Sequence, residues 1–310
     1  MATATAVQSI RSETGRIESR IRQTRRAILE RVEQTPLARV RHGAAPYAGG
    51  GKMLRSRLVW RVGPPCGTPS EALLRGAVAV ELVHAASLLH DDVIDGGLLR
   101  RGAPSFWVKN GAHGAILAGD LLLCEALDAI RSMREPRLVD AVVRFSREMC
   151  AAEVEQELVL RGRPADWETS VRLARSKTGS LFAFAAAAAA GADAARAAAL
   201  VEAGYLAGTA YQLSDDLLDA SGRAESDGKT LGSDRARGKT TAATARPGNP
   251  GPTLSFLDGL RERASSGLAH WPRVRGAWDR YWARDLQPAL YANAGFARGG
   301  RSAAPPAGRP

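Results

Sequence analysis

The chain has 310 residues, is 45% hydrophobic and carries a formal net charge of +11, so it can bury a sizeable core as one large helical domain or two smaller ones. Such a charge suits nucleic acid, an anionic membrane surface or phosphorylated substrates. The arginine-rich stretch from Arg11 to Arg41 is interleaved with Glu13, Glu18, Glu30 and Glu33 and lacks interleaved aromatics; it reads as a solvated amphipathic helix and argues against nucleic acid.

Cys66, Cys124 and Cys150 are scattered with no paired ligand spacing, so neither a disulfide framework nor a zinc site is suggested and they read as core thiols. The start, MATATAVQSIRSETGR, lacks the apolar stretch of a secretion signal, and the longest apolar run, residues 181–190, is far short of a membrane span. The expectation is a soluble, cytoplasmic protein with no stable membrane insertion.

In chain order, a first helix fits residues of about 8–34 and ends near Pro36. The Gly-rich PYAGGGK opens a second, whose first turns hold Lys52 and Arg55 on one face, where they meet phosphate together with the N–H groups of a helix N-terminus. After GPPCGTPS, a long helix runs from about Ser70, its N-cap, to Asp95, and Gly96 and Gly97 end it. The RRGAPS turn and a short loop lead to the helical HGAILAGDLLLCEALDAI, and further helices fit about 136–160, 166–190 and 193–221. The poly-Ala tract reads as a thin packing helix. Nothing alternates with period two, so strands are not needed and the fold class is all-α. Residues 223–253, rich in Gly, Pro, Ser and charge, read as an ordered or ligand-gated loop followed by a flexible linker.

Two copies of one acidic pattern dominate the sequence: DDVID, with Asp91, Asp92 and Asp95, and DDLLD, with Asp215, Asp216 and Asp219. At about 100° per residue, the first and last Asp of each copy lie about 40° apart on one helical face, with the middle one flanking them. Carboxylates massed on one face repel unless cations neutralise them, and Mg2+ takes one or two carboxylates plus phosphate oxygens and water. Apolar neighbours (Leu88, Leu89, Val93, Ile94; Leu213, Leu217, Leu218) mark both helices as buried on their other sides. A diphosphate held between two such claws is the reading that follows. His84, two turns before Asp91, joins Leu88, Asp91 and Asp95 in one stripe, while Arg100 and Arg101, Lys177 with Thr178, and Lys229 and Lys239 add donors suited to phosphate oxygens.

The segments GGKMLR, HAASLLHDDVIDGGLLRRG, KTGSLF, YQLSDDLLD and KTLGSDRARGKT, in this order, resemble the motif set of the trans-isoprenyl diphosphate synthases, the polyprenyl synthetase family. The match spans roughly residues 40–240. The resemblance implies an isoprenoid synthase-type helical bundle around a deep central cavity, with the two Asp motifs facing each other across its mouth, and a homodimer. It implies that the six Asp hold up to three Mg2+ on an allylic diphosphate and that Arg100, Lys177, Lys229 and Lys239 contact that diphosphate. Lys52, Arg55, His84 and Arg101 would bind isopentenyl diphosphate, and Gln212 and Thr178 would lie next to the reacting carbons. Glu153 and Gln156 match the family's Glu and Gln on a neighbouring helix, although Ala152 replaces its usual Gly. Ala86 and Ser87 are small where a bulky aromatic in the family stops elongation early, which implies a linear product of C20 or longer.

The implied organisation is a single domain over residues 1–300, with core motifs at 40–240, a linker at 241–253, C-terminal helices at 254–295 and a disordered tail at 301–310. After Lys239 and Thr240 the family continues with a Leu-Pro pair, where this chain has TAATARPGNPGPT; WPRVRGAWDRYWARDLQPALY remains as a covering helix with an aromatic face. Two alternatives stand beside this reading. A catalytically silent regulatory subunit would share the fold, and a class I terpene cyclase would also ionise a diphosphate but carry an Asn/Ser/Glu-type second metal motif.

Overall fold

In a computed structural model, which describes residues 2–40, 45–133, 135–163, 166–221 and 254–294, the periodic segments form a helical bundle. Helix α1 (Ala2–Glu33) turns Ile17, Ile21, Ile28 and Val32 inward at helical spacing. A single turn, α2 (Ala45–Ala48), precedes α3 (Leu54–Val62). Lys52 is not in the first turn of α3: it is exposed in the preceding loop, and Met53, the cap, has a left-handed backbone (φ 49°). Lys52 and Arg55 therefore do not share a helical face.

Helix α4 (Ser70–Ile94) follows Pro69, which takes the capping position in place of Ser70, and it stops at Asp95 and Gly96, whose φ of 56° cannot continue a helix. By length and composition α4 resembles a membrane span, but 67% of its most apolar window is buried inside the bundle, as befits a core helix. Two short strands, β1 (Leu99–Arg100) and β2 (Ala103–Pro104), pair antiparallel where no strand was expected. Arg101 and Gly102, the two loop residues between them, both have positive φ (53° and 73°), as two-residue hairpins demand.

Helix α5 (Phe106–Arg131) begins inside the expected loop and is interrupted at Gly111 (φ 77°, ψ 162°). Helix α6 (Pro136–Val154) ends in a π-helical turn, Glu155–Val159, and another, Arg175–Gly179, separates α7 (Trp167–Ala174) from α8 (Ser180–Ala189). Helix α9 (Ala194–Ser221) completes the core. The C-terminal segment contributes α10 (Leu254–Gly267), α11 (Pro272–Tyr281), a third π turn at Trp282–Leu286, and α12 (Gln287–Ala294). Cys66 is buried, but Cys124 and Cys150 are exposed and so are not core thiols.

The alanine-rich α8 runs through the middle, packed against α3, α4, α6 and α9. Small residues set how closely its neighbours approach. A Cβ on Gly204 of α9 would fall 2.6 Å from Phe182 O, and one on Gly208 2.5 Å from Gly179 Cα, so α9 lies antiparallel against α8. On α4, a Cβ at Gly76 would meet Ala188 Cβ at 2.7 Å. The start of α4 is pinned to the α8–α9 turn, since Thr68 Oγ1 donates to Ala189 O (2.7 Å) and Arg196 Nη2 to Cys66 O (3.1 Å). Helices α4 and α9 thus leave from the same end of α8, and each acidic motif begins 21 residues after its helix starts (Ser70 to Asp91, Ala194 to Asp215), roughly 31 Å further on.

Candidate active site at the acidic ends of two helices

The far ends of α4 and α9 are each held by their own set of polar side chains. Partial desolvation, and then the negative charges of Asp91 and Glu153, push the Cys150 thiol of α6 above its ordinary pKa. Glu153 pairs with Lys177, whose Nζ also donates to Gln156 Oε1 (3.2 Å). Next along the chain, Thr178 Oγ1 donates to Gln212 Oε1 (2.6 Å), and Gln212 Nε2 donates to Asp216 Oδ1 (2.7 Å). A run of side chains therefore leads from Glu153 and Gln156 at the end of α6, through Lys177 and its neighbour Thr178, to Gln212 and the second acidic motif. The π turn Arg175–Gly179 presents Lys177 and Thr178 within this run, at an irregularity of a kind frequent at functional sites.

Within the first motif the three carboxylates differ. Asp91 and Asp95 are partly exposed, whereas Asp92 is only 2% exposed. Its Oδ1 accepts from Arg100 Nε (2.8 Å) and Nη2 (2.6 Å), and its Oδ2 accepts from Arg100 Nε (2.9 Å) and Tyr47 Oη (2.8 Å). Arg100, read from sequence as a substrate contact, is here the partner of Asp92. Burial works against the Arg100 charge, but the hydrogen bonds and charge of Asp92 outweigh it and raise the pKa. The Tyr47 hydroxyl also accepts from Phe106 N–H (2.8 Å), so one phenol caps the first residue of α5 and steadies Asp92. Burial pushes its pKa up to about 12, and the hydrogen bond to Asp92 adds to this.

The second motif repeats the arrangement: Asp216 is buried and held by Gln212, while Asp215 is partly exposed. Asn293 of α12, itself buried, donates to Asp215 Oδ1 (3.4 Å), so the C-terminal segment reaches this motif. The Asp219 side chain, Lys229 and Lys239 lie outside what is described, as do the expected loop and linker and the tail.

The remaining predicted cations gather near the loop before α3. A Cβ on Gly51 would fall 2.6 Å from Arg101 Nη2, so the guanidinium lies directly against this glycine, next to Lys52. Met53 and Arg101 are the two non-glycine residues with positive φ among the described residues, and both belong to this meeting of loops. Strained backbone concentrated at one place is characteristic of functional sites. Arg55, by contrast, is buried: its Cζ lies 4.9 Å over the Phe182 ring, and its Nε has no hydrogen-bond partner. Burial lowers its pKa, with Glu81, Tyr211 and Tyr281 pulling the other way. A buried donor left without an acceptor costs about 1–3 kcal/mol, which an anionic ligand would recover. His84 is half-buried on α4, and its carbonyl accepts from Ser87 Oγ (2.9 Å). Ala86 beside it is buried.

Among the described residues, no three His, Cys, Asp or Glu side chains converge as a ready-made metal cage. Mg2+ is usually held by one or two carboxylates, its octahedron completed by substrate phosphate and water. Carboxylates split between two helix ends fit an ion that the substrate helps to hold. The sequence could not reveal Tyr47, because nothing in PYAGGGK marks a residue whose partner lies 45 positions away. Asn293 carried no signal either.

The polyprenyl synthetase family pattern matches residues 41–247. The geranylgeranyl diphosphate synthase of Methanosarcina mazei is 36% identical over 201 residues, 62% of this chain and 62% of that protein. The octaprenyl diphosphate synthase of Haemophilus influenzae is 32% identical over 196 residues, 62% of this chain and 60% of that protein. The chain thus matches about three fifths of the length of these curated relatives. Among solved structures, a polyprenyl synthase from Caulobacter crescentus, complexed with calcium and isoprenyl diphosphate, superposes with a TM-score of 0.67 at 28% identity, covering 92% of this chain and 96% of that one.

Proposed function

Because the chain belongs to the polyprenyl synthetase family, we propose that it is a prenyltransferase that condenses isopentenyl diphosphate head to tail with an allylic diphosphate, releasing pyrophosphate. The observation that carries this reading is a pair of acidic helix ends, the first held by Arg100 and Tyr47 with a cationic loop pair beside it, the second reached by a run of polar side chains from Lys177 through Thr178 and Gln212. Asp91, Asp95, Asp215 and Asp219 are the residues to hold Mg2+ on the allylic diphosphate, with Asp92 and Asp216 supporting them from within. Bound there, up to three Mg2+ supply the positive charge that stabilises a departing pyrophosphate.

The protein's own groups do the rest. Lys177 is assigned to the same leaving charge, as are Lys229 and Lys239 by resemblance to the family, and Arg100 joins them by exchanging Asp92 for a phosphate oxygen. Preorganised donors aimed where charge develops lower the barrier. Lys52, Arg55, His84 and Arg101 take the diphosphate of isopentenyl diphosphate, orienting its double bond towards the allylic carbon. The oxygens of Thr178 and Gln212 face developing carbocation character. Water must be excluded, and the apolar walls of α4 and α8 serve that purpose.

The relatives' names span several chain lengths, so product size rests on Ala86 and Ser87, which leave room beneath the first motif for C20 or longer. Exposed Ile116 and Leu117 of α5, with Val143 and Val154 of α6, are consistent with a homodimer face. A cytoplasmic location fits the burial of α4.

The test is incubation with Mg2+, isopentenyl diphosphate and, in turn, dimethylallyl, geranyl, farnesyl and geranylgeranyl diphosphates, with products sized by mass spectrometry. Linear products of C20 or longer are expected. Farnesyl diphosphate as sole product would refute the length assignment. Cyclised hydrocarbon would point to a cyclase, and absence of turnover with every primer to a silent subunit.

A further inference from the structure

The loop Gly51–Met53 is held by arginines from two elements, α1 and α3. Arg25 of α1 donates from Nη2 to Gly51 O (3.0 Å) and from Nε to Met53 Sδ (3.1 Å). Arg57 of α3 donates from Nε to Lys52 O (3.0 Å). Arg57 is in turn fixed through Nη1, which pairs with Glu18 of α1 (2.8 Å) and with Asp285 (3.3 Å). Asp285 sits in the π turn Trp282–Leu286, is 4% exposed at its side chain, and also pairs with the buried Arg61. Glu13 binds Arg61 from the other side (3.1 Å) and ties in Arg280 (3.1 Å) and Arg284 (2.7 Å).

A left-handed residue such as Met53 persists only where its surroundings over-determine it. The Lys52 carbonyl faces an exposed loop and could be satisfied by water, so the arginine contact is not required for burial. What the contact does is fix direction. It sets where the carbonyl points, hence the peptide plane, hence the place from which the Lys52 side chain departs. The fourth partner in the chain of contacts comes from the C-terminal segment, far from the family motifs.

We infer that Asp285 is a positioning residue for the Lys52 loop, acting through Arg57. The inference deepens the proposed function and rests on its assignment of Lys52 to isopentenyl diphosphate. Two variants of the full chain test it. Asp285→Asn removes the charge that holds Arg57 and Arg61; Arg57→Lys removes the Nε donor to Lys52 O while leaving the Asp285–Arg61 pair.

Hydrogen exchange of the backbone over residues 51–54 should quicken about fivefold or more in both variants, with the segment 91–95 unchanged. In steady-state assays the KM for isopentenyl diphosphate should rise about fivefold to tenfold, while kcat and the KM for the allylic diphosphate change less than about twofold. Unchanged exchange at 51–54 in either folded variant would overturn the inference, as would an equal rise in both KM values. Should Asp285→Asn fail to fold, Arg57→Lys decides. Absence of turnover by the unaltered protein would defeat the proposed function, and the exchange comparison would still decide whether Asp285 holds the loop.

Discussion

Replacing Tyr47 with Phe removes a single oxygen that performs two tasks, and its cost follows from the geometry. The ring stays, including its edge-on contact with Phe106 at 6.2 Å, so packing is retained. Lost are the bond donated to the Asp92 carboxylate and the bond accepted from Phe106 N–H. A hydrogen bond to a charged group contributes about 1.5–3 kcal/mol, and a buried N–H left without an acceptor costs about 1–3 kcal/mol. Arg100 continues to hold Asp92, which limits the first contribution. The expected loss is about 2–4 kcal/mol, equivalent to a Tm lower by roughly 4–8 °C in a chain of this size. Urea or thermal unfolding of the two proteins side by side measures it. The effect has a pH signature, because the folded-state pKa of Tyr47 is raised from 10.0 to about 12. A raised acid is stabilised as its neutral form. Its contribution is therefore complete below pH 10 and disappears as the pH climbs through 12. The stability gap between wild type and Tyr47→Phe should stay constant from pH 6 to about 9 and narrow between about 10 and 12. A loss below about 0.5 kcal/mol, or a gap indifferent to alkaline pH, would refute the reasoning.

Gly51→Ala places a methyl where Arg101 now lies, at a φ of 81°; strain of about 1 kcal/mol and a displaced Arg101 should raise the KM for isopentenyl diphosphate, read by steady-state kinetics. Gln212→Leu breaks the relay between Thr178 and Asp216 and leaves a buried carboxylate oxygen without its donor. A stability loss of about 1–3 kcal/mol in urea should accompany reduced kcat. Gly208→Ala drives a Cβ to 2.5 Å from the backbone of Gly179, where no flexible side-chain tip can yield, so α9 must move off α8. Overpacking of about 1–3 kcal/mol or more should appear as a lowered Tm, and an unchanged Tm would contradict the close approach of these helices.

Much of this arrangement is legible in the sequence because helices announce themselves by period and by their ends. Asp95 and Gly96 stop α4 where the GG pair predicts, and the alanine tract is the thin central helix its composition suggests. The failures have local physical causes. Expecting Lys52 on a helix ignored that Gly51 and Met53 both adopt positive φ, which ends any helix trace between them. The hairpin stayed hidden because its turn carries Arg101 where Asn or Asp usually signals a two-residue loop. The π turns at Glu155, Arg175 and Trp282 insert little that periodicity can detect, yet they aim Gln156, Lys177 and Asp285. Tyr47 and Asn293 act across long sequence separations and carry no motif.

The two acidic motifs share a solution to a common electrostatic problem. Each gathers carboxylates in the last turns of a long helix, where the dipole is negative and anions are disfavoured. In both, the middle Asp is withdrawn into the protein and hydrogen-bonded there, while Asp91, Asp95 and Asp215 stay accessible from solvent. The withdrawn residues are held by different chemistry: a guanidinium and a phenol on Asp92, a primary amide on Asp216. Removing the amide takes from Asp216 a hydrogen bond to a charged group, a loss of about 1.5–3 kcal/mol. Removing the guanidinium would strand a buried charge, a loss of about 3–5 kcal/mol. Arg100 can leave Asp92 only where another charge takes over its role on both sides. A diphosphate arriving with divalent cations supplies both at once, an anion for Arg100 and cations for the carboxylates. On the proposed function, substrate capture and rearrangement of the first motif are therefore one event.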